Sequence, residues 1–243
     1  MSFYAISDLH GYPLAKFEAL LEKAGFCEED TLYVIGDVVD RNGEGGVALL
    51  RRIMESPNIE FILGNHEDML LKCGFLFEEV TEESIEALDT EKAAALAHYL
   101  RNGGGVTLAS LRELKNTEPE ALFDILEFLR DAPLCAGVTC GGRDLLLVHG
   151  GLGHFAPEKK LSEYTRRDIL WERPKLETRY FEDMTTVFGH TPTLYYGEKY
   201  AGKVLFTPTW INIDTGAAER FAPALIRLDD LEVFMGEEFS EED

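Results

Sequence analysis

Asp8-Leu9-His10-Gly11, Gly36-Asp37, Gly64-Asn65-His66-Glu67, His149-Gly150-Gly151 and Gly189-His190-Thr191 follow one another along this chain, most of them directly after a short apolar run. Carboxylate, imidazole and amide side chains delivered to the ends of strands can hold a pair of divalent metals. Four of the six histidines fall in these five clusters, and His154 flanks one of them. The donor set lacks thiolate. That suits Mn, Fe or Zn and argues against a closed cysteine zinc site. Asp37 is central enough to bridge two ions with its two oxygens. Two ions ~3.5–4 Å apart can clamp a phosphoryl group and bring the pKa of a shared water toward neutrality, giving a hydroxide that attacks phosphorus in line. The leaving oxygen then needs a proton. His66 is the candidate donor, with Asp40 on its other ring nitrogen. Arg41 sits beside Asp40 and offers a planar fork to phosphate oxygens. Each motif alone is an ordinary turn sequence, and the weight lies in the five together at strand ends.

The elements that must carry these residues can be read from hydrophobic pattern. Short apolar runs predict strands at 3–7, 32–36, 59–63, 145–149, 186–189, 210–213, 224–228 and 231–235. Between the first three lie helical patterns. Pro13 suits a first turn, Leu14, Phe17, Leu20, Leu21 and Ala24 share one face, and Gly25 suits the stop. Val47, Leu50 and Met54 mark a second helix. Residues 1–66 therefore read β-α-β-α-β with parallel strands, whose C-terminal ends share one edge. Residues 68–132 read as a helical insertion forming a lid or wall, with Leu122, Ile125, Leu126 and Leu129 on one face after Pro119. The later strands lack long intervening helices, which predicts antiparallel hairpins and a second sheet. The expected organisation is one domain over 1–236 and a disordered acidic tail at 237–243.

Composition narrows the class. The chain has 243 residues and a net charge of −22, from 45 acidic against 23 basic residues. No basic face is available to displace phosphate counterions, so nucleic acid is not an expected partner. A phosphate substrate would need strong local positive charge, which two metals and a few arginines would supply. No apolar stretch is long enough for a membrane span. The opening residues Met1-Ser2-Phe3-Tyr4-Ala5-Ile6 read as a strand and not as a leader, and Cys27, Cys73, Cys135 and Cys140 form no CxxC pair, so a cytoplasmic protein with reduced thiols is expected. None of these features speaks to oligomeric state.

The motif set resembles that of the calcineurin-like metallophosphoesterases, and within them the bacterial branch of the serine/threonine protein phosphatases. The pattern D-x-H-G, G-D-x-x-D-R-G, G-N-H-E, H-(G/A)-G and G-H-T is met here by Asp8 to Gly11, Gly36 to Asn42, Gly64 to Glu67, His149 to Gly151 and Gly189 to Thr191. Asn102-Gly103-Gly104 with Thr107, Leu170-Trp171-Glu172-Arg173 and Ile213-Asp214-Thr215-Gly216 extend the likeness across nearly the whole chain. The resemblance implies a four-layer α/β/β/α sandwich. It implies that Asp8, His10 and Asp37 hold a first metal and Asp37, Asn65, His149 and His190 a second, with Mn foremost. It makes His66 the acid supported by Asp40, and Arg41, Asn65 and Arg173 the contacts to substrate phosphate. Asn42 stands where glycine is usual, and asparagine tolerates a left-handed backbone. The expected activity is a protein phosphatase acting on phosphoserine, phosphothreonine and phosphotyrosine. The alternative is a diadenosine tetraphosphatase or related nucleotide pyrophosphohydrolase, whose motifs are very similar. A non-catalytic binding module is opposed by the full ligand set. The substrate is thus a phosphorylated protein or a small phosphate ester.

Overall fold

In a computed structural model, the chain folds into two five-stranded sheets packed face to face, with helices on the outside. Residues 1–79 and 81–241 are described, Ser84 and Ile85 for their backbone alone.

The first sheet grows from alternation in its strands. In β1 (Phe3–Ile6) Ala5 points between the sheets while Tyr4 and Ile6 point to the helices, and in β2 (Thr31–Ile35) Ile35 points inward while Leu32 and Val34 point outward. β3 (Ile59–Ile62) completes a parallel trio with β1 and β2. The crossovers are α1 (Leu14–Ala24) and α2 (Val47–Met54). Gly25 ends α1 with φ 71°, as the sequence predicts, and its N–H closes back onto Glu22 and Leu21 carbonyls. The outer face of this sheet packs on Phe17, Leu20, Leu49 and Leu50, and the same cluster extends into the insertion through Leu111, Ile125 and Leu129.

The insertion is helical from end to end among the described residues. It runs through α3 (Asn65–Lys72), a 3₁₀ turn, α4 (Glu82–Glu86), α5 (Thr90–Arg101), α6 (Gly105–Thr117) and α7 (Pro119–Asp131). Val80 lies outside the described residues.

The second sheet has the order β4-β5-β6-β8-β7, from β4 (Cys135–Cys140), β5 (Arg143–Val148), β6 (Met184–Phe188), β7 (Leu205–Phe206) and β8 (Trp210–Asn212). Its inner residues Leu145, Leu147, Val187 and Ile211 meet Ala5, Ile35, Ile62 and Ile226 from the first sheet. Its outer face buries Phe188 and Trp210 under Tyr164, Tyr180 and the short helix α8 (Arg166–Leu170). The fourth layer is therefore mostly irregular chain.

Three expectations are corrected here. β5, β6 and β8 are parallel to one another, not hairpin partners. β9 (Ala224–Arg227) and β10 (Glu232–Met235) form the expected hairpin, but they join the first sheet, where β9 lies antiparallel to β1. The tail is fastened down over its described part. The Tyr12 hydroxyl donates to the Glu237 carbonyl (2.9 Å) and accepts the Glu237 N–H (3.0 Å), and Phe239 packs edge-on against Tyr12. Residues 242–243 lie outside the described residues.

No helix among the described residues is long and apolar enough to cross a membrane. All four cysteines are free thiols.

Candidate metal centre

The C-terminal ends of β1, β2 and β3 and those of β5, β6 and β8 point to one end of the sandwich. Each of the six loops that leave these ends carries one of the motif clusters or its neighbour: Asp8 and His10, Asp37 to Arg41, Asn65 and His66, His149, His190, and Asp214. The backbone there is unusual. Nine non-glycine residues have positive φ among those described, and Asp8, His10, Asp37, Asp40, Arg41 and His190 are six of them. A side chain pays to sit in that region, and such positions cluster where function over-determines the fold. Asn42 is not among them. The left-handed turn falls on Asp40, Arg41 and Gly43, and the Asn42 amide instead donates to the carbonyls of His10 (2.9 Å) and Ala217 (3.2 Å). Gly36 is required by space as well as by φ (70°), because a Cβ there would strike the Gly64 backbone.

Two triads of donor atoms converge on Asp37. His10, Asp37 and His66 bring ligand-type atoms within 4.8 Å of one another, and so do Asp37, His149 and His190. All five are buried. Asp37 lies between them, with its Oδ1 3.3 Å from His149 Nε2 and its Oδ2 3.7 Å from His10 Nε2. The Asn65 amide oxygen lies 2.9 Å from His149 Nε2. Asp8 is turned slightly aside, both of its oxygens accepting the His190 backbone N–H at 3.0 and 2.9 Å.

The partner of Nδ1 separates ligands from acid. His10 Nδ1 is 3.0 Å from the Val39 carbonyl and His149 Nδ1 is 2.9 Å from the Ile35 carbonyl. A carbonyl only accepts, so Nδ1 carries the hydrogen in both. His10 is left with an Nε2 lone pair aimed at Asp37, while His149 Nε2 faces Asp37 and the Asn65 oxygen, two acceptors that hold a proton there where a cation would otherwise sit. His190 Nε2 is buried with no hydrogen-bond partner, an orphan that a cation would satisfy. Burial and the charge on His66 push the His10 pKa down to about 3. Burial and His149 take His190 well below its ordinary value. Both are therefore neutral donors at pH 7. Burial opposes charge on Asp37, but the facing His149 and His66 imidazoles prevail and hold it well below the usual carboxylate range. Burial raises Asp8 to about 6 despite His149. Burial would depress His149, yet Asp37 beside it lifts it to about 10. Anionic oxygens, the neutral imidazoles of His10 and His190, an imidazole at His149 whose Nε2 proton a cation would replace, and an amide oxygen around one buried carboxylate fit a pair of divalent cations.

His66 differs from the other imidazoles. Its Nδ1 meets the Asp40 carboxylate at 2.6 Å, and its ring lies edge-on to His10. Burial pulls its pKa down, but Asp37 and the Asp40 hydrogen bond overcome this and raise it. Asp40 is itself held by the insertion. Tyr99 donates its hydroxyl to Asp40 Oδ1 (2.7 Å), and Thr107 donates to the same oxygen (2.5 Å) while accepting the Asp40 N–H (3.0 Å).

Glu67 anchors the centre from below. Its carboxylate accepts the N–H groups of Asp37 (2.9 Å), Val38 (2.8 Å), Val39 (3.1 Å) and Gly64 (3.1 Å), while Asp37 Oδ1 accepts the His66 N–H (2.9 Å) at the start of α3. Burial raises Glu67 to about 7. Arg41 and Arg173 are exposed and line the same cleft, which measures about 80 Å³. The Arg173 guanidinium is steadied by the His190 carbonyl at 3.1 Å.

The structure thus brings together every candidate named from the sequence: Asp8, His10, Asp37, Asp40, Arg41, Asn65, His66, His149, Arg173 and His190. Sequence reasoning missed Tyr99, which sits in a charged helix with no motif of its own. Its only signal is that it lies three residues before Asn102-Gly103-Gly104. Trp171, named from the sequence only within the Leu170-Trp171-Glu172-Arg173 segment and given no role, and Tyr195, not named at all, also line the cleft.

The class that this fold and site define is a metal-dependent phosphoesterase. Residues 1–209 match the calcineurin-like phosphoesterase family, and the chain belongs to it. A symmetrical bis(5'-nucleosyl)-tetraphosphatase from Chromohalobacter salexigens is 45% identical over 200 residues, covering 82% of this chain and 61% of that protein. The chain spans between 36% and 61% of the length of the curated relatives it matches. Two solved structures share the fold at low identity. One, provisionally assigned as a diadenosine tetraphosphatase, has a TM-score of 0.61 at 17% identity, covering 98% of this chain and 94% of that one. A serine/threonine phosphatase from Saccharomyces cerevisiae has a TM-score of 0.54 at 16% identity, covering 99% and 80%.

Proposed function

We propose that the chain hydrolyses a dinucleoside tetraphosphate at its central anhydride, giving two nucleoside diphosphates. This reverses the order expected from the sequence, where a protein phosphatase came first. The reaction class rests on one observation, the two donor triads that share Asp37. The substrate class is supported by the curated relatives, which carry that activity in their name.

Asp8, His10 and Asp37 would hold one divalent ion, and Asp37, Asn65, His149 and His190 a second, with manganese, iron and zinc all compatible with these donors. When bound, such ions supply Lewis acidity and make a nucleophile of water near neutral pH. Arg41, Asn65 and Arg173 orient the phosphoryl oxygens at the mouth of the cleft. A bond forms from water oxygen to phosphorus and the bridging P–O bond on the far side breaks. His66 gives its proton to the departing oxygen through Nε2, because its Nδ1 is committed to Asp40.

A second reading keeps the phosphomonoester of a serine, threonine or tyrosine side chain. It is favoured by the same His66–Asp40 pair, since an oriented acid helps an alkoxide leaving group more than a nucleoside diphosphate. A panel of diadenosine tetraphosphate, phosphoserine peptide and an aryl phosphate, run with each metal, separates the two. The expected result is fast symmetrical cleavage to ADP. A phosphopeptide turned over well while diadenosine tetraphosphate is left intact would reverse the order.

A further inference from the structure

The metal cleft shares lining residues with two larger grooves. One, of about 640 Å³, shares Arg173 and Tyr195 with the cleft and continues past Lys175 and Tyr196. The other, of about 570 Å³, shares Trp171 with the cleft and continues past His98, Arg166 and Arg167. An aromatic ring therefore stands at each mouth. Tyr195 is 63% exposed, unusual for a tyrosine with no covering partner beyond a 3.5 Å hydroxyl contact to Glu219. Trp171 is half-buried, edge-on to His190 and tilted against the His98 ring. Each groove carries cations although the chain has a net charge of −22: Arg173 and Lys175 beside Glu177 in the first, and Arg167 in the second, where Lys72 and Arg166 are paired with Asp68 at 2.7 and 2.8 Å.

Building on the proposed activity, we infer that Tyr195 and Trp171 are two nucleobase platforms, one on each side of the metal centre. The arrangement matches the substrate's shape. A dinucleoside tetraphosphate has a polyanionic middle and a flat aromatic group at each end. Every base presents a π-face, so an exposed aromatic ring accepts it without regard to sequence. The basic residues beside each ring neutralise the phosphates nearest the sugar. Two platforms also set where the bond breaks. A single platform would count phosphates from one end, whereas a base seated on each side centres the second and third phosphates over Asp37.

The chain has two tryptophans, and the other, Trp210, is fully buried in the second sheet, so emission changes on ligand binding report Trp171. Titration with ADP is expected to quench that emission, and inorganic pyrophosphate is expected to leave it unchanged. Trp171→Phe should abolish the quench. Tyr195→Ala should raise KM for diadenosine tetraphosphate by about 5- to 150-fold, the range for losing one base–aromatic stack, and Tyr195→Phe should restore it. If diadenosine tetraphosphate is cleaved but ADP gives no quench and Tyr195→Ala leaves KM unchanged, the platforms are refuted and the proposed activity stands. If diadenosine tetraphosphate is not cleaved at all while a phosphoserine peptide is, both fall.

Discussion

Replacing His66 by Asn tests the division of labour between acid and ligands. His66 is 3% exposed, and its Nδ1 is 2.6 Å from Asp40. Asn is shorter, carries no titratable proton and cannot reach the leaving oxygen. Loss of a general acid costs about 10²–10⁴ in rate, or about 2.7–5.5 kcal/mol of barrier. The fold should survive. Asp40 keeps two hydroxyl donors, from Tyr99 at 2.7 Å and Thr107 at 2.5 Å, so its buried charge is not stranded. The leaving group should set where in the range the loss falls. With diadenosine tetraphosphate the departing ADP needs little help, so the loss should lie near the lower end. With a phosphoserine peptide the departing alkoxide needs a full proton, so the loss should lie near the upper end. The assay is kcat/KM on both substrates beside metal content by atomic emission. A drop below tenfold on both would refute His66 as the acid. Metal lost in step with activity would make it a ligand, which its place in the His10–Asp37–His66 triad makes a fair test.

Asp40→Asn should lower kcat and move the alkaline limb of the pH–rate profile to lower pH. Asp37 and Asp40 raise His66 above its ordinary value near 6.5, and a raised acid keeps its proton to higher pH until that pKa is passed. Removing one of the raising groups shifts the loss acidward, and an unmoved limb would contradict the assignment. Tyr99→Phe deletes a buried donor to Asp40 and should cost about 1.5–3 kcal/mol, read as a fall of several degrees in Tm. An unchanged Tm would mean that water replaces the hydroxyl. Chelation should abolish turnover and lower Tm, and manganese added back should restore both. At about 100 times its Kd the metal should contribute about 2.7 kcal/mol to stability, and a Tm indifferent to metal would argue against a built site.

Much of this was legible before any coordinates. The β1-α1-β2-α2-β3 frame showed itself because each strand is a short apolar run and each helix has a clear apolar face, with a glycine stop after α1. The cluster residues were legible for the same reason: they sit where those runs end. What escaped detection depends on contacts far apart in sequence. Tyr4 pairs with Arg227 across the whole chain, and no local pattern tells β9 to enter the first sheet. The parallel run of β5, β6 and β8 was hidden because its connections are mostly irregular. β4 was overlooked because Gly137 interrupts it and only Val138 and Cys140 in it are buried, although Gly141-Gly142 after it, with φ 55° and 73°, is a two-residue hairpin signal. Tyr99 meets Asp40 from 59 residues away and leaves no mark in the periodicity of α5.

Asp8, His10, Asp37 and His190 hold φ values of 52°, 43°, 54° and 63°. Such positions cost about 1–3 kcal/mol each, and glycine would relieve the cost while deleting the donor. A screen for heat tolerance run on the metal-free protein would therefore drift toward glycine at these four places and return sturdier, inert proteins. Durability and turnover are set against each other at the same backbone atoms, and any effort to harden this enzyme has to look elsewhere in the chain.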